Sequence, residues 1–288
     1  MQSLRCLFAI GCLGIISTGF KVPAGRTIYK RELPSCKASP GEGGESEEEG
    51  DFITRIFKRF LPNPEDMGMK RMTVDTAPEQ YYCTKDRWAD PVNDDDEIVR
   101  LFRAALAQTR METRSLKLCY CGERDGWNAD RFHEKVDRQG ACVVFCRTEN
   151  GGVFGAYNPK GWVNYGEFRG SLAAFLFVWP DGNTDLNPVK LSKVGGAGLA
   201  QVDDGSGPKF GMTDLAIPLG FKTLPGTVSG KKVFSKLGSY YERMPSGSNS
   251  LLPGGRSEDT LTELKVYKGV YGPDEYIPFT DAEPFALN

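Results

Sequence analysis

The sequence predicts an α+β fold, a two-layer antiparallel β-sandwich flanked by helices. Its 288 residues hold 34 glycines and 18 prolines, more turn-formers than a helical bundle uses. Roughly seven or eight short apolar runs read as strands, against two or three segments with helical period. Between Ala141 and Trp162 lies a hairpin signal. Cys142 to Cys146 is a β-branched and aromatic run, Thr148 to Gly152 carries turn chemistry with Asn150-Gly151 at its centre, and Val153, Phe154, Ala156 and Tyr157 begin a second run. Pro159 stops that second strand near Asn158. Neither run alternates strictly, which places at least one strand inside a two-layer core. The 40% apolar content is enough to build such a core.

From the N-terminus, residues 1–19 resemble a cleavable signal: Arg5 is followed by an apolar stretch from Cys6 to Ile16 and by small residues Ser17, Thr18 and Gly19. Phe20 then opens a basic segment with Lys21, Arg26, Lys30, Arg31 and Lys37. Residues 38–50, rich in Gly, Pro, Ser and Glu, read as an acidic linker too poor in apolar surface to order itself, so 20–50 form a transit-like and disordered unit. Residues 51–111 are expected to form a helical extension. Phe52, Ile53, Ile56, Phe57 and Phe60 recur at helical spacing opposite Arg55, Lys58 and Arg59, up to Pro62. This short helix, residues 51–61, is suited to peripheral contact with an anionic membrane and equally to docking on the domain behind it. Tyr81, Tyr82 and Trp88 are aromatics able to anchor the segment that follows. Asp94, Asp95, Asp96 and Glu97 precede Ile98, Val99, Leu101, Phe102, Ala105 and Leu106, a helix start with a solvated acidic cap and without the ligand spacing of a calcium loop.

The main domain is expected over residues 112–271, with a tail from 272 to 288. Its elements are a strand at Ser115–Tyr120, a turn at Glu123–Trp127, a helix capped by Asn128 or Asp130 and ending at Gly140, and then the hairpin. A loop at Tyr165–Gly170 follows, then strands at Ser171–Trp179, Val189–Val194, Met212–Ile217, Gly238–Glu242 and Thr262–Val266, with a surface loop at Pro245–Gly255.

Composition limits the chemistry. The net charge of −2 and the lack of a long basic block in the body argue against a nucleic-acid groove. A single histidine, His133, removes most zinc and acid/base arrangements, and no local motif supplies it with a nucleophile. No cofactor and no metal are expected. Of the eight cysteines, Cys119, Cys121, Cys142 and Cys146 lie in predicted strands, each pair on one face. They are read as small buried hydrophobes, as a regulatory thiol set, or as a four-thiolate metal site. Glu167 and Asp214, beside glycines, are candidates for an acid pair in a groove, or for turn capping in solvent. Gly195-Gly196-Ala197-Gly198 lacks the context of a phosphate-binding loop.

The order of elements and several residues resemble the TLDc domain. Leu116 to Tyr120, Arg124 to Trp127 and Phe132 to Asp137 are similar to that family's opening, with Val136 where its helix usually has a cysteine. Thr148 to Tyr157 followed by Trp162 is the most specific likeness. Leu172 to Phe177, Phe210-Gly211 with Asp214 to Ile217, and Leu264 to Tyr267 resemble its later strands. The glycines at 205, 207 and 211 are more widely spread than in the family. The resemblance implies protection against oxidative stress, with no established catalytic mechanism and, for several members, binding to the vacuolar proton-pumping ATPase. The presequence resembles the bipartite plastid-targeting leaders of algae with secondary plastids, where that pump would not be met; the secretory pathway and the mitochondrion are the other addresses it allows. The expectation is a non-enzymatic interaction module with an unidentified protein partner, in which Trp127, Tyr157, Trp162 and Phe168 form a surface patch or loop core. Beside it stand a thiol-based redox protein using the four cysteines and, if the address is otherwise, a regulator of the proton pump.

Overall fold

The computed structural model describes residues 72–220 and 230–280. The chain divides into Met1–Met67 and Gly68–Asn288, and all described residues belong to the second unit. The signal-like, transit-like and linker segments and the Asp51–Leu61 helix lie outside them.

The described residues form eleven strands, every pairing antiparallel. One layer holds β1 (Leu116–Cys121), β2 (Cys142–Thr148), β3 (Val153–Asn158), β5 (Phe175–Trp179) and β6 (Val189–Ser192), joined by the long β11 (Glu258–Gly269) between β1 and β2. The other holds β4 (Glu167–Arg169), β7 (Gln201–Asp203), β8 (Lys209–Phe210), β9 (Leu215–Ala216) and β10 (Lys232–Phe234). β11 serves both: its first residues pair with β10 and its remainder with β2 and β1, the change accompanied by a register shift between Leu261 and Glu263. A shift of that kind bends a strand, which lets one strand leave one layer for the next.

The hairpin forms as its sequence predicts. Gly151 takes φ +80° in the turn, Thr148 Oγ1 accepts from Gly152 N at 3.0 Å, and Asn150 Nδ2 donates to Asp259 Oδ1 at 2.6 Å, tying the turn to β11. Val144 pairs with Ala156 and Phe145 with Gly155. Both strands are buried on both faces, which explains their lack of alternation. Between the layers lie Val144, Cys146, Phe154 and Leu176 from one side and Phe210, Leu215 and Val233 from the other. On the outer face of the first layer, Phe145, Tyr157, Phe177 and Tyr267 pack under α1 (Glu97–Arg103). Phe102 supplies the contact, its ring 5.4 Å from that of Tyr267 and 6.1 Å from that of Phe177. Burying a side chain of this size contributes about 1.5–3 kcal/mol.

Several expectations need correction. The acidic run before α1 is only partly solvated: Asp96 caps the helix by accepting from Val99 N at 2.8 Å, but Asp95 is buried against Arg103. The turn at Glu123–Trp127 is a short helix, α2 (Gly122–Asp125), ended by Gly126 at φ +91°. Asn128 caps the next helix, α3 (Ala129–Val136), which stops before Gly140 because Asp137 is already extended and Arg138 is left-handed. α3 flanks the sandwich as expected, with Asp130, Arg131, Glu134 and Lys135 exposed and Phe132 and Val136 buried in the core between the layers. The Tyr165–Gly170 loop contains β4, paired with β7. Gly238–Glu242 is no strand, only a bridge from Tyr241 to Lys193. The tail from Gly272 is held to the domain through Glu275, which accepts from Arg114 at 2.5 and 3.0 Å.

Candidate functional site

Of the residues the sequence singles out, Trp162, Glu167 and Phe168 lie along the chain that follows β3. Asn158 Oδ1 accepts from Lys160 N (3.1 Å) and Gly161 N (3.0 Å), folding the chain back on itself. Gly161 must be glycine: a Cβ there would lie 2.0 Å from Gly140 O. Its own carbonyl accepts from Arg169 Nη1 (3.0 Å) and Gln201 Nε2 (2.6 Å). Trp162 then enters the core edge-on to Phe132 (5.3 Å) and Phe210 (6.2 Å). The next two amides, of Val163 and Asn164, donate to the buried Asp203 carboxylate at 2.8 and 3.0 Å. Burial pushes the Asp203 carboxyl up, against the opposing pull of those amides and of Arg169.

This knot holds two aromatics in water. Tyr165 is 54% exposed and Phe168 64%. Arg138 Nη2 donates to Tyr165 Oη at 2.9 Å, and β4 fixes Phe168 through its pairing with Val202. Glu167, beside Phe168, is bound to Arg169 at 3.2 Å. Of the four aromatics expected to form a patch, only Phe168 is fully at the surface. Trp127 is partly buried, with Lys231 Nζ 5.4 Å from its ring centre. Trp162 and Tyr157 are buried, the first between the layers and the second under α1. They cannot belong to one surface, because the sheet separates them; Trp162 serves the loop core.

His133 is buried. Its Nδ1 lies 2.8 Å from Asp137 Oδ1 one turn on, its ring packs edge-on to Phe132, and Nε2 has no partner among the described residues. A general base must reach a substrate proton, and this imidazole faces the core. Asp214 does not meet Glu167 in a groove, nor does it lie in solvent. It is wholly buried, with Oδ1 accepting from Tyr240 N (3.1 Å) and Tyr241 N (3.0 Å), and burial raises its carboxyl. Its role is to hold the 238–242 segment against the β8–β9 turn.

The cysteines are also rearranged. β1 shifts register against β11 between Leu118 and Tyr120, so Cys119 is the extra residue of a bulge and no longer shares a face with Cys121. Cys119 turns toward the core between the layers, near Cys142. Burial pushes Cys119 up to about 12 and drives Cys142 and Cys146 well above the usual thiol range. All are free thiols, and among the described residues no group of three or more His, Cys, Asp or Glu is placed to hold a metal ion.

Asp203 and Arg169, which organise this knot, escape a sequence reading. Val202-Asp203-Asp204-Gly205 looks like an exposed acidic turn, and nothing local marks the first acid as the buried one. Arg169 is legible only once β4 is recognised as a strand.

No curated protein matches the chain. The family described as the TLDc domain matches residues 94–242, just over half of the sequence. That span opens at the acids before α1 and includes the hairpin and the knot that displays Tyr165 and Phe168. It stops short of β11, the strand that joins the two layers, so the likeness noted at Leu264 to Tyr267 falls beyond the matched residues. The chain belongs to the TLDc domain family.

Proposed function

We propose that this chain is a protein-interaction module of the oxidative-stress response, which meets its partner through the projection carrying Tyr165 and Phe168. One observation carries this reading: the bonds that bury Asp203 and Arg169 in the fold hold those two aromatic rings out in water. Large aromatics kept at the surface by a rigid support are the usual anchors of protein interfaces. Membership of the family links the domain to stress-related interaction. The burial of Cys119, Cys142 and Cys146 works against a thiolate mechanism.

The test is rescue. Cells lacking the protein should be sensitive to peroxide. A variant with serine at positions 119, 121, 142 and 146 that folds should restore resistance, and Phe168→Asp should not. The opposite pattern would favour a thiol mechanism and sink the interaction reading. The leader, residues 1–50, is proposed to direct the chain to a plastid. A fluorescent reporter fused to it should collect there. Collection in the secretory pathway would reopen the proton pump as a partner, and mitochondrial collection would remove both.

A further inference from the structure

After β11 the chain folds back onto the domain, and residues 272–280 lie between Arg114 and Arg169. Glu275 accepts from Arg114 Nη2 at 2.5 Å and Nη1 at 3.0 Å, and from Gly272 N at 3.0 Å. Ile277 is seated at Gly140: a Cβ on that glycine would lie 2.7 Å from Ile277 Cγ2, so the missing side chain leaves the room that the isoleucine fills. At Phe279 the carbonyl accepts from Arg169 Nη2 at 3.4 Å, and the ring centre lies 5.4 Å from Lys160 Nζ. Arg169 follows Phe168 in β4, so the segment reaches the base of the aromatic projection.

This segment is held lightly. None of its residues is buried, and the Arg114 pair that anchors it is exposed, where such pairs contribute little. Phe279 takes φ +62°, a left-handed conformation unfavourable for a residue with a side chain. What the segment covers is cationic. Ile277 forms one wall of a cleft of about 210 Å³ whose other walls include Lys117, Gln139, Lys268 and Tyr271, and no acid lines it. Lys160 Nζ has no acceptor among the described residues, only the Phe279 ring, and burial and the neighbouring Arg169 both pull its pKa down. Glu167, the acid beside both, is bound to Arg169. Ile277 to Thr280 bring no charge of their own. A ligand that displaces them must gain something they do not, and an anion for Lys160 supplies that difference.

We propose that residues 272–280 are a strap over the surface around Gly140 and Lys160, and that a protein partner opens it with a segment carrying an aromatic residue beside a carboxylate. The partner's ring takes the place of Phe279, and its carboxylate gives the Lys160 ammonium an acceptor. The closed strap lowers the partner's apparent affinity by the fraction of chains in which it is shut. The proposal rests on the interaction reading above and adds its regulation: binding next to Tyr165 and Phe168 depends on release of the tail.

The test is fluorescence anisotropy with two labelled peptides, residues 272–280 as they stand and the same segment with Thr280→Asp. Each is titrated with the full chain and with an opened variant, Ile277→Ser combined with Phe279→Ser. The opened variant should bind the Thr280→Asp peptide roughly tenfold or more tighter than the unaltered chain does, and tighter than it binds the parent peptide. Adding Lys160→Gln should erase the advantage of the acid. Arg114→Gln, which releases Glu275, gives the same readout if the first variant fails to fold. Equal binding by closed and opened chains, or by neither, overturns the strap. No gain from the acid, or a gain from Asp281→Asn alone equal to that of opening, overturns the chemistry assigned to the partner. In each of these cases loss of peroxide rescue by Phe168→Asp leaves the interaction reading standing. Peptide binding as expected, with Phe168→Asp rescuing fully, keeps the strap and discards that reading's surface.

Discussion

Asp95 and Arg103 grip each other out of reach of water. Arg103 Nε donates to Asp95 Oδ2 at 2.8 Å, Nη2 closes the fork on Oδ1, and Nη1 donates to Met111 O at 2.6 Å. Asp95 Oδ2 also accepts from Val92 N at 3.0 Å. One ion pair thus gathers the chain before α1, the helix itself and the turn after it, and sets the angle at which Phe102 meets the sheet. Removing one partner leaves the other's charge buried and unpaired, so Asp95→Ala is expected to cost about 3–5 kcal/mol in urea unfolding. Asp95→Leu combined with Arg103→Met should recover much of that. If the double variant is no better than Asp95→Ala, the loss comes from packing and this account of the pair fails.

Gly155 sits in β3 where two neighbours crowd its α-carbon. A Cβ would lie 2.3 Å from Val144 O across the ladder and 2.2 Å from Phe177 Cζ. Gly155→Ala is therefore expected to destabilise by about 1–3 kcal/mol through overpacking. Adding Phe177→Leu should relieve the ring contact but not the backbone one, giving partial compensation. Full additivity in a double-mutant cycle of urea midpoints would show that the ring is not what glycine accommodates.

The hairpin was legible because every local signal in it agrees: β-branched strands, an Asn-Gly turn, a proline just past the end. The helix start at Asp96 was legible for the same reason. What was not legible depends on contacts between distant residues. β4, β7 and β8 are two or three residues long, too short to show a period, and exist because they complete one another's ladders. The bulge at Cys119 is set by β11, well over a hundred residues away, and it undoes the shared face that spacing alone assigns to Cys119 and Cys121, while Cys142 and Cys146 keep theirs. Asp95, Asp203 and Asp214 each sit in a stretch that reads as an exposed acidic or glycine turn. Burial was decided by amides and guanidinium groups that only the fold brings near. For the same reason Phe168 is exposed while Tyr157 and Trp162 are buried.

The buried thiols give stability an alkaline limit. Cys119, Cys142 and Cys146 hold their protons in the folded chain beyond the ordinary thiol value of 9.0, because burial disfavours the thiolate. The folded state then binds more protons than the unfolded one. Their contribution is fully present below pH 9 and is lost as pH rises toward the folded value, about 12 for Cys119. Lys190 acts in the opposite sense. Burial lowers it to about 8, so its term favours folding increasingly as pH rises from there toward 10.5. In reducing buffer, Cys146→Ala should lower stability at neutral pH and make its fall above pH 9 shallower by up to about 1.4 kcal/mol per pH unit. Parallel pH profiles for the two proteins would show that this thiol ionises as freely folded as unfolded.

Asp203 and Phe168 are linked through the loop between them. The Asp203 carboxylate holds the amides of Val163 and Asn164, and the pairing of Phe168 with Val202 sets the ring one residue from that anchor. If rigid display of Tyr165 and Phe168 matters for binding, untying the loop should weaken the interaction without touching either ring, since a mobile anchor must be ordered when it binds. Asp203→Ala leaves the buried Val163 amide without an acceptor, releases that of the exposed Asn164, and is expected to cost about 1–3 kcal/mol of stability. Hydrogen exchange should show the Val163 and Asn164 amides losing protection while those of β2 and β3 keep theirs. At a temperature where the variant remains folded, its peroxide rescue should fall toward that of Phe168→Asp. Loss of amide protection with full rescue would mean that the partner orders this loop for itself, and that the buried aspartate serves the fold alone.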